Sequence, residues 1–230
     1  MTPEVQTLIP KTLIQFWDTA QLPDDIRPKV DSWAEKSGLT PHMFTEERAL
    51  DFISEVYGAE YVGYFRKCAL PAMKSDLFRL LAVYHHGGWY ADCSIECLKS
   101  PIDLVSDPVF QILYYRRWHG GVNNGFFAAT SKCTYLEKMI EIVTHNVKNE
   151  IGRSVWEVTG PRIWNDIFPK ENRFADALEL SHAQIAAPSY DQSAGKYVMF
   201  HQDLAHKKDG THWSDAEKQN RSIFARLDLL

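Results

Sequence analysis

Short apolar blocks alternate with amphipathic stretches along the first half of the chain. Leu8–Trp17 carries an apolar run after Pro10-Lys11 and predicts a first strand. Pro23-Asp24-Asp25 predicts the start of a helix reaching about Ala34, since Asp and Pro both favour a first helical turn. Leu39–Phe44 predicts a second strand, and Thr45 is placed to cap a helix running to Tyr57. From Pro71 to His86, Met73, Leu77, Leu80, Leu81 and Tyr84 share one helical face, which predicts a helix packed on that face. Gly87-Gly88 stops it, and the run Trp89-Tyr90-Ala91 delivers Asp92 to a strand end. Further on, Val109–Tyr115 and Val122–Ala129 read as strands and Thr134–Val147 as a helix. Gly160–Phe168 and Phe174–Leu180 read as shorter helices, and Ala183–Ala187 and Tyr197–His201 as late strands. This alternation predicts an α/β fold with a mainly parallel sheet flanked by helices and a less regular C-terminal part. Ligands of such sheets bind beyond the carboxyl ends of the strands. Trp17 and Asp92 fall at such ends.

The chain has 230 residues, 45% of them hydrophobic, enough to bury a sizeable core in one large domain or two small ones. A net charge of -5 argues against a general nucleic-acid binder. No apolar run approaches the ~20 residues of a membrane span. Met1 to Pro10 lacks the basic start and apolar stretch of a secretory signal. Cys68, Cys93, Cys97 and Cys133 form no Cys-x-x-Cys pair, so neither a zinc knuckle nor a disulfide framework is expected, and the setting is a reducing, cytoplasmic one.

Asp92 leads the candidate chemistry. A strand-end carboxylate can hold Mg²⁺ or Mn²⁺ against a diphosphate, or it can simply cap a turn. Ser94, two residues on, offers a hydroxyl where a second carboxylate would be the easier metal ligand, and Glu96 would face the same side if residues 92–96 are extended. Asp76 and Arg79 stand at i and i+3; their spacing by itself favours an ordinary surface salt bridge, although the pair also suits sugar hydroxyls or phosphate. Trp17 can stack on a nucleobase or fill the core. Asn123-Asn124-Gly125 fits a hairpin turn or a pair of amides presented to a sugar. His201, His206 and His212 crowd a polar segment with Asp203, Asp209 and Trp213, where one His could bind a metal or a diphosphate.

Taken in order, the motifs resemble a glycosyltransferase family with the GT-A (Rossmann-like) fold, the one whose sugar-binding region contains an Asp-x-Asp motif (family-32-like). The resemblance rests on Ile9-Pro-Lys-Thr-Leu-Ile-Gln-Phe-Trp17, Ser32-Trp33, Ser75-Asp76-Leu-Phe-Arg79 and Gly87-Gly-Trp-Tyr-Ala-Asp92. Asn123-Asn-Gly-Phe-Phe-Ala-Ala129 and Thr159-Gly-Pro161 are weaker echoes. Two departures stand out: Ser94 replaces the second Asp of the motif, and Gln15 lies where a His is common.

The resemblance implies that Gln15, Phe16, Trp17, Tyr90, Ala91, Asn123 and Trp213 join Asp76, Arg79, Asp92 and Ser94 in binding a nucleotide-sugar donor. It implies catalytic parts for Asp92, Asp76, Arg79 and Asn124. The metal, Mn²⁺ or Mg²⁺, would be held by Asp92, Ser94 and His201, with His206 as the alternative. The implied enzyme is a hexosyltransferase acting with retention, from a UDP-sugar rather than a GDP-sugar, onto a glycan or lipid-linked saccharide in capsule or lipopolysaccharide synthesis. It would be a cytoplasmic protein with room for peripheral contact at the inner face of the membrane, binding no nucleic acid. It would form one domain over 1–230, with 1–101 holding the nucleotide sugar and 102–230 serving the acceptor. Two alternatives come from other readings of the same residues: a nucleotide-sugar binder without turnover, motivated by Ser94, and a metal-dependent phosphodiesterase, motivated by acidic strand ends.

Overall fold

In the computed structural model, residues 9–105, 107–188, 195–201, 203–205 and 222–226 are described. The chain opens with β1 (Thr12–Phe16), α1 (Arg27–Lys36), β2 (Thr40–Phe44), α2 (Glu46–Tyr57), α3 (Ala59–Lys67) and α4 (Pro71–His86). Two short strands follow, β3 (Gly88–Ala91) and β4 (Ile95–Cys97), then β5 (Ile112–Arg116), β6 (Val122–Ala129) and α5 (Thr134–Asn149). The remainder comprises α6 (Val155–Val158), α7 (Pro161–Ile167), β7 (Ala177–Ser181), α8 (His182–Ile185), β8 (Ala186–Ala187) and β9 (Val198–Phe200).

The main sheet has the order β2-β1-β3-β6-β5-β7. Its β1–β2, β1–β3 and β5–β7 pairs are parallel, and β6 runs antiparallel to both β3 and β5. A smaller sheet, β4-β9-β8, lies apart from it. Side chains alternate across the main sheet, as strand geometry requires. Ile14, Phe16, Tyr90, Tyr114 and Phe127 pack towards α4, α5 and α7, whereas Leu13, Trp89, Ala91, Tyr115 and Phe126 pack towards α1 and the small sheet.

Between β5 and β6 the register jumps from Tyr114↔Phe127 to Tyr115↔Asn123. Residues 124–126 therefore bulge from the β5 side of the ladder, and the face each residue presents switches across the bulge. Asn123-Asn124-Gly125 thus lies inside a strand and is no hairpin turn.

The Gly87-Gly88 pair also has a purely architectural cause. Both residues have positive φ, and a Cβ on Gly88 would lie 2.5 Å from the Thr12 carbonyl oxygen. The backbone comes close to β1 here, which lets α4 turn straight into β3 beside it.

Four expectations are revised. The first helix begins at Arg27, one turn later than Pro23, with Pro28 in its first turn. Helix α3 went unread because Gly58 and Gly63 interrupt its pattern. Phe174–Leu180 forms the edge strand β7 rather than a helix: the helix-forming Ala-Leu-Glu-Leu run is overridden by pairing with β5 and by Arg116 and Tyr114 bonding to Glu179. Ala183–Ala187 splits into α8, opened by a Ser181–Gln184 capping box, and the two-residue β8.

Candidate functional site

Helix α4 is wedged between the main sheet and the other helices. Leu77, Phe78, Leu80, Leu81, Ala82 and Val83 are all buried, so its middle turns have no solvent face. Asp76 and Arg79 sit within this stretch at 6% and 4% exposure. The surface salt bridge favoured by spacing alone is therefore excluded. Burial of an ion costs several kcal/mol, roughly, unless its partners are complete.

They are complete around Arg79. Its Nη2 lies 3.1 Å from Oδ1 of both Asp76 and Asp92 and donates to Ser75 Oγ at 2.9 Å. Nη1 donates to the Asn124 carbonyl at 2.6 Å and Nε to the Ser75 carbonyl at 3.2 Å. The guanidinium also rests 4.6 Å from the centre of the Tyr90 ring. Two carboxylates facing one guanidinium hold it firmly charged, its pKa raised by Asp92 and Asp76 against the pull of desolvation.

Asp76 accepts from Asn124 Nδ2 at 2.9 Å and from Thr159 Oγ1 at 3.0 Å. Burial pushes its carboxyl up to about 7, opposed by Arg79 and by the two donors, while the Asp92 charge adds to the rise.

Asp92 is the outward member of the cluster, its side chain 36% exposed against 7% for Asp76. Its Oδ1 receives the Tyr90 hydroxyl at 3.1 Å as well as Arg79, and that hydroxyl lies 2.9 Å from Ser75 Oγ. Its backbone N–H donates to the Gly125 carbonyl at 2.8 Å. A Cβ added to Gly125 would lie 2.3 Å from Asp92 Oδ2, so only a glycine lets the β6 bulge approach this carboxylate. Asn123 braces the bulge: its buried Oδ1 accepts from the Gly125 N–H at 2.8 Å.

Trp17 follows β1, its backbone N–H donating to the Phe44 carbonyl and its half-buried side chain packing on the cluster that Ile26, Cys93 and Leu204 form. Gln15, Phe16 and Ala91 are buried; the Gln15 amide reaches the Ala91 carbonyl at 3.4 Å, and Phe16 packs on Phe78 with its carbonyl accepting from Cys93 Sγ.

Asp92–Ile95 forms a turn, and the chain is extended only from Ile95 on, as β4. The Ile95 N–H donates to the Asp92 carbonyl at 2.9 Å, and Ser94 lies half-buried in that turn. Glu96 turns instead to His201 Nε2 at 2.9 Å and towards Lys36 at 3.9 Å, so it does not stand in for the missing carboxylate at Ser94. His201 bonds to Glu96 across the β4–β9 pair rather than forming a cluster with Asp92. Among the described residues no three His, Cys, Asp or Glu side chains converge on a metal position. His206 and Trp213 lie outside the described residues.

The structure thus brings Asp76, Arg79, Asp92, Tyr90, Asn124 and Asn123 together with Trp17 alongside. It adds three residues absent from the sequence reading of the site. Ser75 lies one turn before Arg79. Gly125 was part of what read as a turn. Thr159 belongs to a Thr-Gly-Pro triplet whose distance of 83 positions from Asp76 gave no sign of contact.

The sheet order and the flanking helices form a GT-A-type α/β fold. Residues 23–111 match the family described as "Glycosyltransferase sugar-binding region containing DXD motif". The matched stretch runs from the residues before α1 to the residue before β5. It is 26% identical over 151 residues to inositol phosphoceramide mannosyltransferase 2 of Schizosaccharomyces pombe, a match covering 63% of this chain and 41% of that protein, so it spans well under half of the relative's length. Among solved structures it is similar to the PaToxG glycosyltransferase, with TM-score 0.56 and 16% identity over 69% of this chain and 68% of that one. It is also similar to a glycosyltransferase involved in glycosylation of the major capsid of PBCV-1, with TM-score 0.50 and 12% identity over 91% and 97% of the two chains. No helix among the described residues is long and apolar enough to cross a membrane.

Proposed function

We propose that this chain is a glycosyltransferase that moves a sugar from a nucleotide-diphosphate donor to a hydroxyl of a glycan or lipid-linked saccharide. The observation that carries the reading is the buried Asp76–Arg79–Asn124 network, which turns the carboxylate of Asp92 outward at a strand end. The match to a sugar-binding region over 23–111 supports it.

In this reading Trp17 stacks on the base, and Arg79, Asp76 and Asn124 form the rigid wall against which the donor sugar is oriented. Rigid placement of this kind lowers the barrier by holding the reacting groups in an attack geometry. Residues from both halves of the chain take part, since Asn124, Gly125 and Thr159 reach the site from beyond residue 101. The first half therefore holds the donor with help from the second.

The residues fit a divalent cation that arrives with the diphosphate. Asp92 Oδ2 accepts from no group among the described residues, and Ser94 supplies a hydroxyl in the adjoining turn. Mg²⁺ and Mn²⁺ are commonly held by one or two carboxylates with substrate phosphates completing the shell. When bound, such a cation would neutralise the charge of the departing diphosphate. Transfer with retention from a UDP-sugar is the expected chemistry. A lipid-borne acceptor is consistent with the name of the yeast relative. Ser94 favours one second reading, a nucleotide-sugar binder without turnover, because it removes a charged metal ligand.

One experiment separates the two. A thermal-shift panel of UDP- and GDP-sugars with and without Mn²⁺ identifies a donor, since binding to the native state raises apparent stability. Donor hydrolysis and transfer are then measured for the wild type and Asp92→Ala. Turnover that falls at least about a hundredfold in Asp92→Ala, with its melting temperature kept, supports the enzyme. Donor binding with no turnover in the wild type supports the binder.

A further inference from the structure

Five bonds close the turn between β5 and β6. The Arg117 N–H donates to the Gly121 carbonyl and the Gly120 N–H to the Arg117 carbonyl, both at 2.8 Å. The Gly121 N–H donates to His119 Nδ1 at 3.3 Å, and the Val122 N–H to Asn165 Oδ1 of α7 at 2.9 Å. Arg116 Nη1 donates to the Gly120 carbonyl at 3.0 Å, while the same guanidinium grips Glu179 and the Phe168 carbonyl. The turn is thereby tied to α7 and to the edge strand β7.

At its tip Trp118 is 84% exposed, its only ring contact among the described residues being an edge contact with His119 at 5.3 Å. The other large exposed apolar side chains, Val109, Ile142, Ile151 and Trp156, are 36% to 53% exposed. A large indole held out in water forgoes burial worth about 2 kcal/mol or more. A braced backbone beneath it means that little further entropy is lost when a ligand stacks on the ring, the property that makes aromatic residues effective binding anchors.

Position selects the ligand. Val122 follows the turn, and Asn123, Asn124 and Gly125 come next, bonded to one another, to Asp76 and to Asp92. At no more than about 3.3 Å per strand residue, Gly121 at the end of the turn lies within roughly 7–13 Å of these residues, a span of one to a few sugar rings. The His119 ring stands edge-on to the indole and is itself held by the Gly121 N–H, which puts a polar ring beside the apolar one. A single indole with polar neighbours offers less for entry into a lipid layer, which draws on a broader apolar face.

We propose that the Arg117–Gly121 turn is an acceptor subsite in which Trp118 stacks on a saccharide ring of the acceptor and presents its hydroxyl towards the donor site. This rests on the glycosyltransferase reading for the meaning of the bound saccharide, but not for the binding itself.

The test uses the full chain labelled with 5-fluorotryptophan, the Trp118 resonance being assigned by its loss in Trp118→Phe. Methyl α-mannoside, methyl β-glucoside and lactose are titrated separately, as are phosphatidylcholine and phosphatidylglycerol vesicles. The expected result is a saturable shift of the Trp118 signal with at least one saccharide. In parallel, Trp118→Ala should raise the KM for that acceptor about tenfold, the equivalent of one stacking contact, with acceptor-independent donor hydrolysis and melting temperature unchanged. Trp118→Tyr should recover most of the loss. No shift with any saccharide, or a shift with vesicles alone, overturns the proposal, the latter reassigning the turn to a lipid surface. If the wild type hydrolyses no donor, the glycosyltransferase reading fails while the titration still decides the subsite.

Discussion

At Gly125 the β6 backbone and the Asp92 carboxylate come closer than any side chain would allow, with 2.3 Å between a virtual Cβ and Oδ2. Gly125→Ala should therefore push the carboxylate off its Arg79 and Tyr90 contacts. The expected outcome is a loss of turnover on the order of a hundredfold, the cost of misplacing a group by about an ångström. Gly63→Ala serves as the control, since no atom within 4 Å would meet its Cβ. Steady-state kinetics of both variants, with circular dichroism to check the fold, reads the difference. Ser94 invites the opposite change. Ser94→Asp restores a carboxylate in the turn that follows Asp92 and should tighten Mn²⁺ binding roughly tenfold or more, because hard divalent cations favour charged oxygen ligands. Calorimetric titration with Mn²⁺ in the presence of UDP measures it, and unchanged affinity would place the cation away from Ser94.

Elements, rather than single residues, create the electrostatics of Asp76. Helix α4 supplies the carboxylate and Arg79, β6 supplies Asn124, and Thr159 closes the cluster at the end of α6. Burial raises the Asp76 carboxyl from 3.8 to about 7, so the folded chain takes up a proton more readily than the unfolded one. Through this group, stability is fully present below about pH 4 and is lost as pH rises through about 7. Melting curves of the wild type and Asp76→Asn from pH 5 to 8 should show the advantage of the wild type shrinking as pH rises; a constant difference would mean that Asp76 is ionised throughout. At this scale the sequence was partly legible. The apolar stripe Met73–Leu77–Leu80–Leu81 located α4, but its middle is buried on all sides, so the flanking Asp76 and Arg79 went inside with it. Spacing could not reveal this, because it describes one helix face and not what packs on the others.

Across the whole molecule, β1, β2, β3 and β6 lie where the sequence predicts strands. Strands β1, β3 and β6 are buried on both faces, and their apolar blocks are short enough to be told from helices. Edge strand β7 was not readable, because Ala-Leu-Glu-Leu favours a helix until β5 offers it a ladder and Arg116 and Tyr114 bind Glu179. The sequence by itself determined the α/β character of the chain, the strand end at Asp92 and the order of motifs that resembles a sugar-binding region. The tertiary structure alone decided that Asp76 and Arg79 are buried, that Gly125 and Thr159 belong to the site, and that Glu96 and His201 bind each other away from Asp92. The reason is physical: periodicity is written along the chain, whereas the partners of a buried charge are fixed by which distant segments close over it.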